Sequence, residues 1–394
     1  MAKKKRVLLA IETSRSYGRG LLRGIIRYSN LHRSWTLMQS PFLYRQSPYF
    51  YHNELRTRTN TLSYLKKNNV DGVIMRDERN LKEVRALKMP VICASYIHED
   101  PGLACIQTNC AGIGELAANH FLERGFRNFG YCGLEKMFWS HLRRGGFQER
   151  VAKSGYEVSI YRQPKSNKNR VWTREQHFLA DWLKSLPLPV GIFACNDERA
   201  RNVIESCMLS ELRIPEDVAV LGVNNDDFTC EMADETISSI ALSLDQAGYE
   251  AAGLLDQMMT DNERINARII VEPNRVVVRH STNILAVDDD YVREAIKFIR
   301  QHVREPIQVT DVARAVSLSR TALYEKFQRF LGYSAHQYIK RTRTEEIARL
   351  LAESEMSIHE IAFAMGFSSE AHIAMYFHKY KGMNPSQYRR QFRD

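Results

Sequence analysis

Val309–Tyr338 reads VTDVARAVSLSRTALYEKFQRFLGYSAHQY, and Ile358–Tyr388 reads IHEIAFAMGFSSEAHIAMYFHKYKGMNPSQY. The two stretches align with an offset of 49 residues at the front and 50 at the back: Val312 with Ile361, Ala313 with Ala362, Val316 with Met365, Ser319 with Ser368, Phe327 with Phe377, Gly332 with Gly382 and Tyr338 with Tyr388. A match that carries apolar, turn and capping positions together marks a duplicated structural unit. In the first copy Val309, Val312, Ala313 and Val316 fall at helical spacing, and Leu318 breaks that rhythm just before Ser319, a good N-cap for a second helix. Leu323 and Phe327 then lie four apart on the inner face, which turns Arg320, Thr321, Tyr324 and Glu325 outward. In the second copy Gly366 supplies the turn, Ser368 or Ser369 caps, and Ile373 and Phe377 form the inner stripe. Each copy therefore reads as a helix-turn-helix, at 309–331 and 358–380.

Between them SAHQYIKRTRTEEIARLLAES reads as one long helix seamed by Tyr338, Ile339, Ile347 and Leu350 or Leu351. Such a rod fixes the spacing of the two turns. At about 34 Å apart, both second helices could enter successive major-groove segments of one duplex. Lys340, Arg341 and Arg343 on the rod, and Arg389, Arg390 and Arg393 at the end, are the obvious candidates to neutralise phosphates. A repeated helical bundle with no nucleic-acid role explains the apolar stripe but not the recurrence of turn residues and caps.

This tail resembles the DNA-binding domain of the AraC family of bacterial transcription regulators, and SIHEIAFAMGFSSEAHIAMYFHKYKGMNPSQYRR follows that family's signature almost position by position. The resemblance implies base contacts from Thr321, Tyr324 and Glu325 in the first recognition helix, and from Glu370, Ala371 and Met375, next to Ser369, in the second. The second set departs from the Gln or Arg common in the family. Glu370 could only accept from cytosine, and Ala371 and Met375 offer apolar contacts such as a thymine methyl.

Upstream, the 394-residue chain, with 44% hydrophobic residues and a net charge of +10, has room for a larger body. From Arg6 onward, short apolar runs (VLLAIET, WTLMQS, DGVIMR, PVICAS, LACIQTN, NFGYCG, EVSIYR, VGIFACND, VAVLGVNND) alternate with amphipathic helices. That alternation predicts parallel sheets covered by helices. There are too many units for one sheet, so an α/β body of two lobes is expected at 1–285. Its changes of lobe fall near Gly112 and Ser243, with the all-α tail at 286–394. Ligands of such bodies bind where strand ends of the two lobes face one another.

The upstream body resembles the periplasmic-binding-protein-like sensor of the LacI family, and the order of sensor then AraC-type tail resembles the xylose-operon regulators. TSRSYGRGLLRGIIRY looks like the first strand-to-helix loop, HFLERGFRNFGYCG like the opening of the second lobe, and RRGGF, ACNDERA and LGVNNDDF like ligand-contacting turns. The resemblance implies a small sugar effector, xylose or a relative, with Arg143 as its clamp, because a planar fork holds two oxygens at once. Asn196, Asp197 and Asn224 end strands at switch points. Tyr17, Arg19 and Asp77 come from the first lobe, and Phe138 and Trp139 offer a stacking surface. Asn224 departs from the family's usual Asp.

Each of these has a plainer reading: a helix cap for Asp197, a solvated pair for Arg143 and Arg144, core for Trp139. Gly18, Gly20 and Gly24 do not have the spacing of a dinucleotide loop. A sugar-metabolising or nucleotide-binding α/β enzyme fused to the tail is the competing reading, but no P-loop, HExxH or GxSxG signature is present, so no enzyme is expected. A ligand-independent architectural DNA binder is the third. No cofactor or metal is expected: the seven cysteines have no CxxC spacing and sit mostly in apolar runs, as reduced core thiols do. AKKKR leads straight into the first strand with no signal-peptide core, so a cytoplasmic, non-membrane protein is expected. The expected partners are operator DNA, the sugar, RNA polymerase and a second copy of the chain, and the tail type implies an activator.

Overall fold

In a computed structural model the described residues are 4–32, 35–39, 65, 68–76, 89–94, 102–233, 235–261, 265–284, 286 and 289–392. The chain divides into two compact units, Met1–Asn119 with Asn128–Asn283, and His120–Arg127 with Ile284–Asp394.

The first unit holds two six-stranded sheets. The runs VLLA, GVIM and VIC are buried throughout, as strands covered on both faces must be. They become β1 (Lys5–Ala10), β3 (Gly72–Met75) and β4 (Val91–Cys93), joined by β2 (Trp35–Gln39), β5 (Ala104–Thr108) and β11 (Arg268–Val271) in the order β11-β5-β4-β3-β1-β2. Every pairing in this sheet is parallel. The other lobe orders β12 (Pro273–Val277), β10 (Ser238–Leu242), β9 (Val218–Val223), β8 (Val190–Ala194), β6 (Asn128–Cys132) and β7 (Val158–Ile160). Here β12 runs antiparallel to β10 and closes the edge.

Helix α1 (Ser16–His32) lies against α7 (Leu244–Asp261) at backbone-contact distance. A Cβ at Gly24 would meet the Asp245 carbonyl oxygen at 1.9 Å, and one at Gly248 the Leu21 carbonyl oxygen at 2.1 Å. The glycines after β1 thus serve helix packing and leave nothing for a dinucleotide reading to explain. In the other lobe a buried Arg199–Glu175 ion pair ties α5 (Asp197–Leu209) to α4 (Trp172–Lys184).

The chain passes between the lobes three times: after β5 through α2 (Cys110–Leu122), after β10 through α7, and directly from β11 to β12. The crossings are bonded to one another. Asn109 Nδ2 donates to Glu272 Oε2 at 2.7 Å, Ser243 N–H to the Glu272 carbonyl at 3.0 Å, and Asn109 N–H to the Val271 carbonyl at 2.9 Å. The third crossing, through the short strands β11 and β12, was not foreseen in the sequence.

All seven cysteines are buried thiols. Burial pushes the Cys132 thiol up to about 11 and that of Cys207 to about 12, far from thiolate chemistry. Among the described residues no cluster could hold a metal ion, and no helix is long and apolar enough to cross a membrane.

In the second unit α8 (Asp290–Gln301) precedes α9 (Val309–Ala315), α10 (Arg320–Leu331), the rod α11 (Ala335–Glu353), α12 (Ile358–Ala364), α13 (Glu370–Lys381) and α14 (Pro385–Phe392). Two separate cores form, and the rod feeds both. Ala335, Tyr338 and Ile339 join Val312, Leu323 and Phe327, while Ile347, Leu350 and Leu351 join Ile361, Ile373 and Phe377. Ser319 accepts from Ala322 N–H at 3.1 Å, and Ser369, rather than Ser368, from His372 N–H at 3.2 Å. The turns match in backbone as well: Ser317 at φ 54° and Gly366 at φ 70°, then Gly332 at φ 78° and Gly382 at φ 71°. Helix α8, capped by Asp289, supplies Val292, Ile296 and Ile299 to the first core and was not read from the sequence.

Candidate functional site

A cleft opens inside the first unit at the strand ends of its two lobes. From one side come Ser14, Arg15, Ser16 and Tyr17 in the loop and first turn after β1, with Arg76 after β3; from the other come α3 (Phe138–Ala152) and the ends of β8 and β9. Of the residues expected from sequence, Tyr17, Trp139, Arg143, Asn196, Asp197 and Asn224 line it, as does Phe138. Asp77 lies outside the described residues. Arg76 lines the cleft, 4.0 Å from the Tyr17 ring centroid and paired with Glu12 at 2.6 Å. Arg19 is not a lining residue; its guanidinium donates to Asp226 at 2.7 Å and to the Thr13 carbonyl at 3.1 Å.

Asp226, which sequence reasoning missed, is the latch of the cleft. It caps α6 (Asp227–Glu231) by accepting from Thr229 N–H at 3.1 Å, and across the cleft it accepts from Ser16 N–H at 2.8 Å as well as from Arg19. Burial works against its charge, but the bonds from Thr229, Ser16 and Arg19 hold its carboxyl below the usual range. Arg15 and Glu198, 2.9 Å apart, make a second cross-cleft pair.

Asp197 is 2% exposed. It accepts from Ser239 Oγ at 2.5 Å and from Asp226 N–H at 2.8 Å, and a Cβ at Gly222 would strike its Oδ1 at 2.3 Å. Burial pushes its carboxyl up to about 7 against those two bonds. Asn196 has a double duty, since its side chain caps α5 from Arg199 N–H at 2.9 Å while it lines the cleft.

Arg143 is 4% exposed. It donates to the Cys195 carbonyl and lies 5.0 Å from the Trp139 ring, and among the described residues its Nε has no partner. Asn224, at φ 103°, likewise keeps its buried Oδ1 without a donor. Buried polar groups are almost always bonded, so these two atoms leave hydrogen-bonding capacity unused on residues that line the cleft.

In the second unit Arg320, Thr321, Tyr324 and Glu325 on α10, and Ser369, Glu370, Ala371 and Met375 at the start of α13, are all exposed. Phe363, exposed on α12, and His359, 3.5 Å from Glu370, adjoin the second face. Lys340 is half-buried, its Nζ 5.6 Å from the Tyr380 ring. The guanidinium of Arg341 pairs with Glu123 of the segment His120–Arg127, and more loosely with Glu345 at 3.7 Å. Two phosphate candidates are corrected. Arg343, 7% exposed, donates to the carbonyls of Val303, Glu305 and Met365, and Arg389 to those of Leu351 and Met356; both are internal struts. Arg393 lies outside the described residues.

Residues 118–282 match a family described as a periplasmic binding protein-like domain, and residues 312–391 match a helix-turn-helix domain. The chain is a transcription regulator with a periplasmic-binding-protein-like sensor and an AraC-type DNA-binding domain. It is 29% identical to the xylose operon regulatory protein of Escherichia coli (strain K12) over 98% of this chain and 97% of that protein. With the Haemophilus influenzae protein of the same description it shares 27% identity, over 98% of each. A solved structure of the xylose-binding transcription activator xylR covers 100% of both chains at 27% identity and a TM-score of 0.60. A transcriptional regulator CelR–cellobiose complex matches 71% of the regulator and 86% of that chain at 19% identity and a TM-score of 0.54, a likeness of fold. These similar proteins are transcription regulators and not enzymes.

Proposed function

We propose that the regulator binds a small sugar, xylose or a relative, in the sensor cleft and activates transcription from an operator gripped by the two exposed helix faces. The observation that carries the sensor half is the pair of buried, partnerless polar atoms, Arg143 Nε and Asn224 Oδ1, in a cleft that also holds an indole. A sugar offers adjacent hydroxyls to a guanidinium fork and an amide, and a face of C–H groups to Trp139. Tyr17, Asn196 and Asp197 complete the polar lining, with Arg19 setting the latch on Asp226.

In the DNA-binding half, Thr321, Tyr324 and Glu325 read one major-groove segment and Glu370, Ala371 and Met375 the next. Arg320 and Ser369 at the helix starts, with Lys340 and Arg341 on the rod, would meet the backbone. Arg341 must first leave Glu123 to do so. The effector shifts the sensor toward one closed arrangement, and the short connection around residues 284–289 passes that bias to the tail. The relatives' descriptions as xylose operon regulators and a xylose-binding activator support the effector and the sign. A cytoplasmic homodimer that recruits RNA polymerase completes the proposal, with sensor residues 1–285 and DNA-binding residues 286–394 as its two domains.

A thermal-shift titration with pentoses, hexoses and their acids tests the sensor half. Stabilisation should grow with the logarithm of ligand concentration over Kd, and Arg143→Ala should abolish it. A normal response in that variant would remove Arg143 from the site.

A further inference from the structure

Among the described residues that line the cleft, the charged side chains are paired except Arg143 and Asp197. Arg15 is paired with Glu198 at 2.9 Å, Arg76 with Glu12 at 2.6 Å, and Asp226 with Arg19 at 2.7 Å. Among the described residues Arg143 has no carboxylate within ion-pair distance, and its bonded acceptor is the neutral Cys195 carbonyl. Asp197, the other lining group without a cation, does not serve it. Its carboxyl is occupied by the Ser239 hydroxyl and the Asp226 N–H, and burial drives it toward the neutral acid. Asn224, after the end of β9, lines the same cleft with a buried amide, which carries no charge.

A guanidinium removed from water without a counter-charge is costly, and a bidentate anion relieves that cost more fully than a pair of hydroxyls. From Arg143 buried without a carboxylate among the described residues, together with the neutral Asn224 in the same lining, we infer that the effector is an anionic sugar, an aldonate or uronate whose carboxylate docks on the Arg143 fork. The remaining hydroxyls donate to Asn224 Oδ1, and the carbon skeleton lies against Trp139. This inference rests on the sugar-sensor reading and narrows it.

The test is calorimetric titration of the full chain with matched pairs: D-xylose against D-xylonate, and D-glucose against D-glucuronate. The acid of at least one pair should bind ten-fold or more tightly than its neutral partner. Arg143→Gln should erase that preference, and Asn224→Asp, which restores a carboxylate to the cleft, should cut the acid-to-neutral affinity ratio at least ten-fold. Thermal unfolding of each variant without sugar separates loss of the site from loss of the fold. Equal or tighter binding of both neutral sugars overturns the inference and leaves the sugar sensor standing. Binding of no sugar, neutral or acid, overturns both.

Discussion

The sensor cleft and the helical unit each bury an arginine at their centre, and the two are used in opposite ways. Arg343 satisfies its guanidinium inside the protein, on three backbone carbonyls drawn from both halves of the second unit. Arg143, equally buried, has one carbonyl and an unpartnered Nε. The first arrangement is complete and belongs to the fold, holding the two helix-turn-helix cores at a fixed spacing. The second is incomplete, and in the proposed function the effector completes it. In the helical unit the groups proposed to read DNA are instead side chains left exposed by the caps and cores, such as Tyr324 and Met375.

The largest effect expected from this contrast is on Arg343. Arg343→Ala orphans three carbonyls at about 1–3 kcal/mol each, so the second unit should lose about 3 kcal/mol or more of stability. Chemical denaturation followed by hydrogen exchange in residues 303–305 and 365 checks this, and lysine should not rescue, because it lacks the fork. Arg143→Ala should cost less than half of that without ligand, while its sugar-induced rise in Tm disappears. A variant as damaged as Arg343→Ala would make Arg143 a strut too, and break the comparison.

Asp197 gives the cleft a pH signature. Its folded pKa of about 7 lies above the ordinary carboxylate value of about 4, so the native state holds a proton that the unfolded chain has already released. Stability from this group is greatest below that window and falls as pH rises toward and through 7. Glu123 in the second unit, raised to about 8 by burial and by Glu345, adds a fall of the same sign. The difference between wild type and Asp197→Asn in Tm from pH 5 to 8 isolates the cleft's share, and identical slopes would remove Asp197 from the account.

Smaller effects belong to the exposed faces. Tyr324→Ala should change base preference at one half-site by about 1–3 kcal/mol in a selection from randomised duplexes. Lys340→Ala should weaken all sequences alike and lower the salt slope by about one.

What could be read in the sequence follows the same divide. The duplicated unit was legible because its caps, turns and stripes are local: Ser319 answers a residue three positions away, and Phe327 pairs with Leu323 on the next turn. The strands through β9 were legible as short, mostly apolar runs alternating with amphipathic helices. Strands β10, β11 and β12 were not, since SSIAL, RIIV and PNRVV are short and mixed in polarity, and their pairing is set by partners far along the chain. The same holds for Asp226, whose latch partner Ser16 stands 210 residues earlier, and for Arg343, whose acceptors lie 22 to 40 residues away. In a list of residues, a basic side chain destined for carbonyls looks like one destined for phosphate. One feature distinguished them in advance: Arg343 falls on the apolar seam of the rod, four residues from Ile339 and Ile347.

The central claim is that an effector seated on Arg143 changes how the two helix faces hold DNA. Fluorescence anisotropy of the full chain on a duplex selected from a random pool tests it directly, with and without saturating sugar, for wild type and Arg143→Ala. The account predicts a sugar-dependent change in affinity of at least five-fold for wild type and none for the variant, which keeps its sugar-free binding. A wild-type affinity indifferent to every sugar and sugar acid that binds the cleft, or an undiminished response in Arg143→Ala, would contradict it.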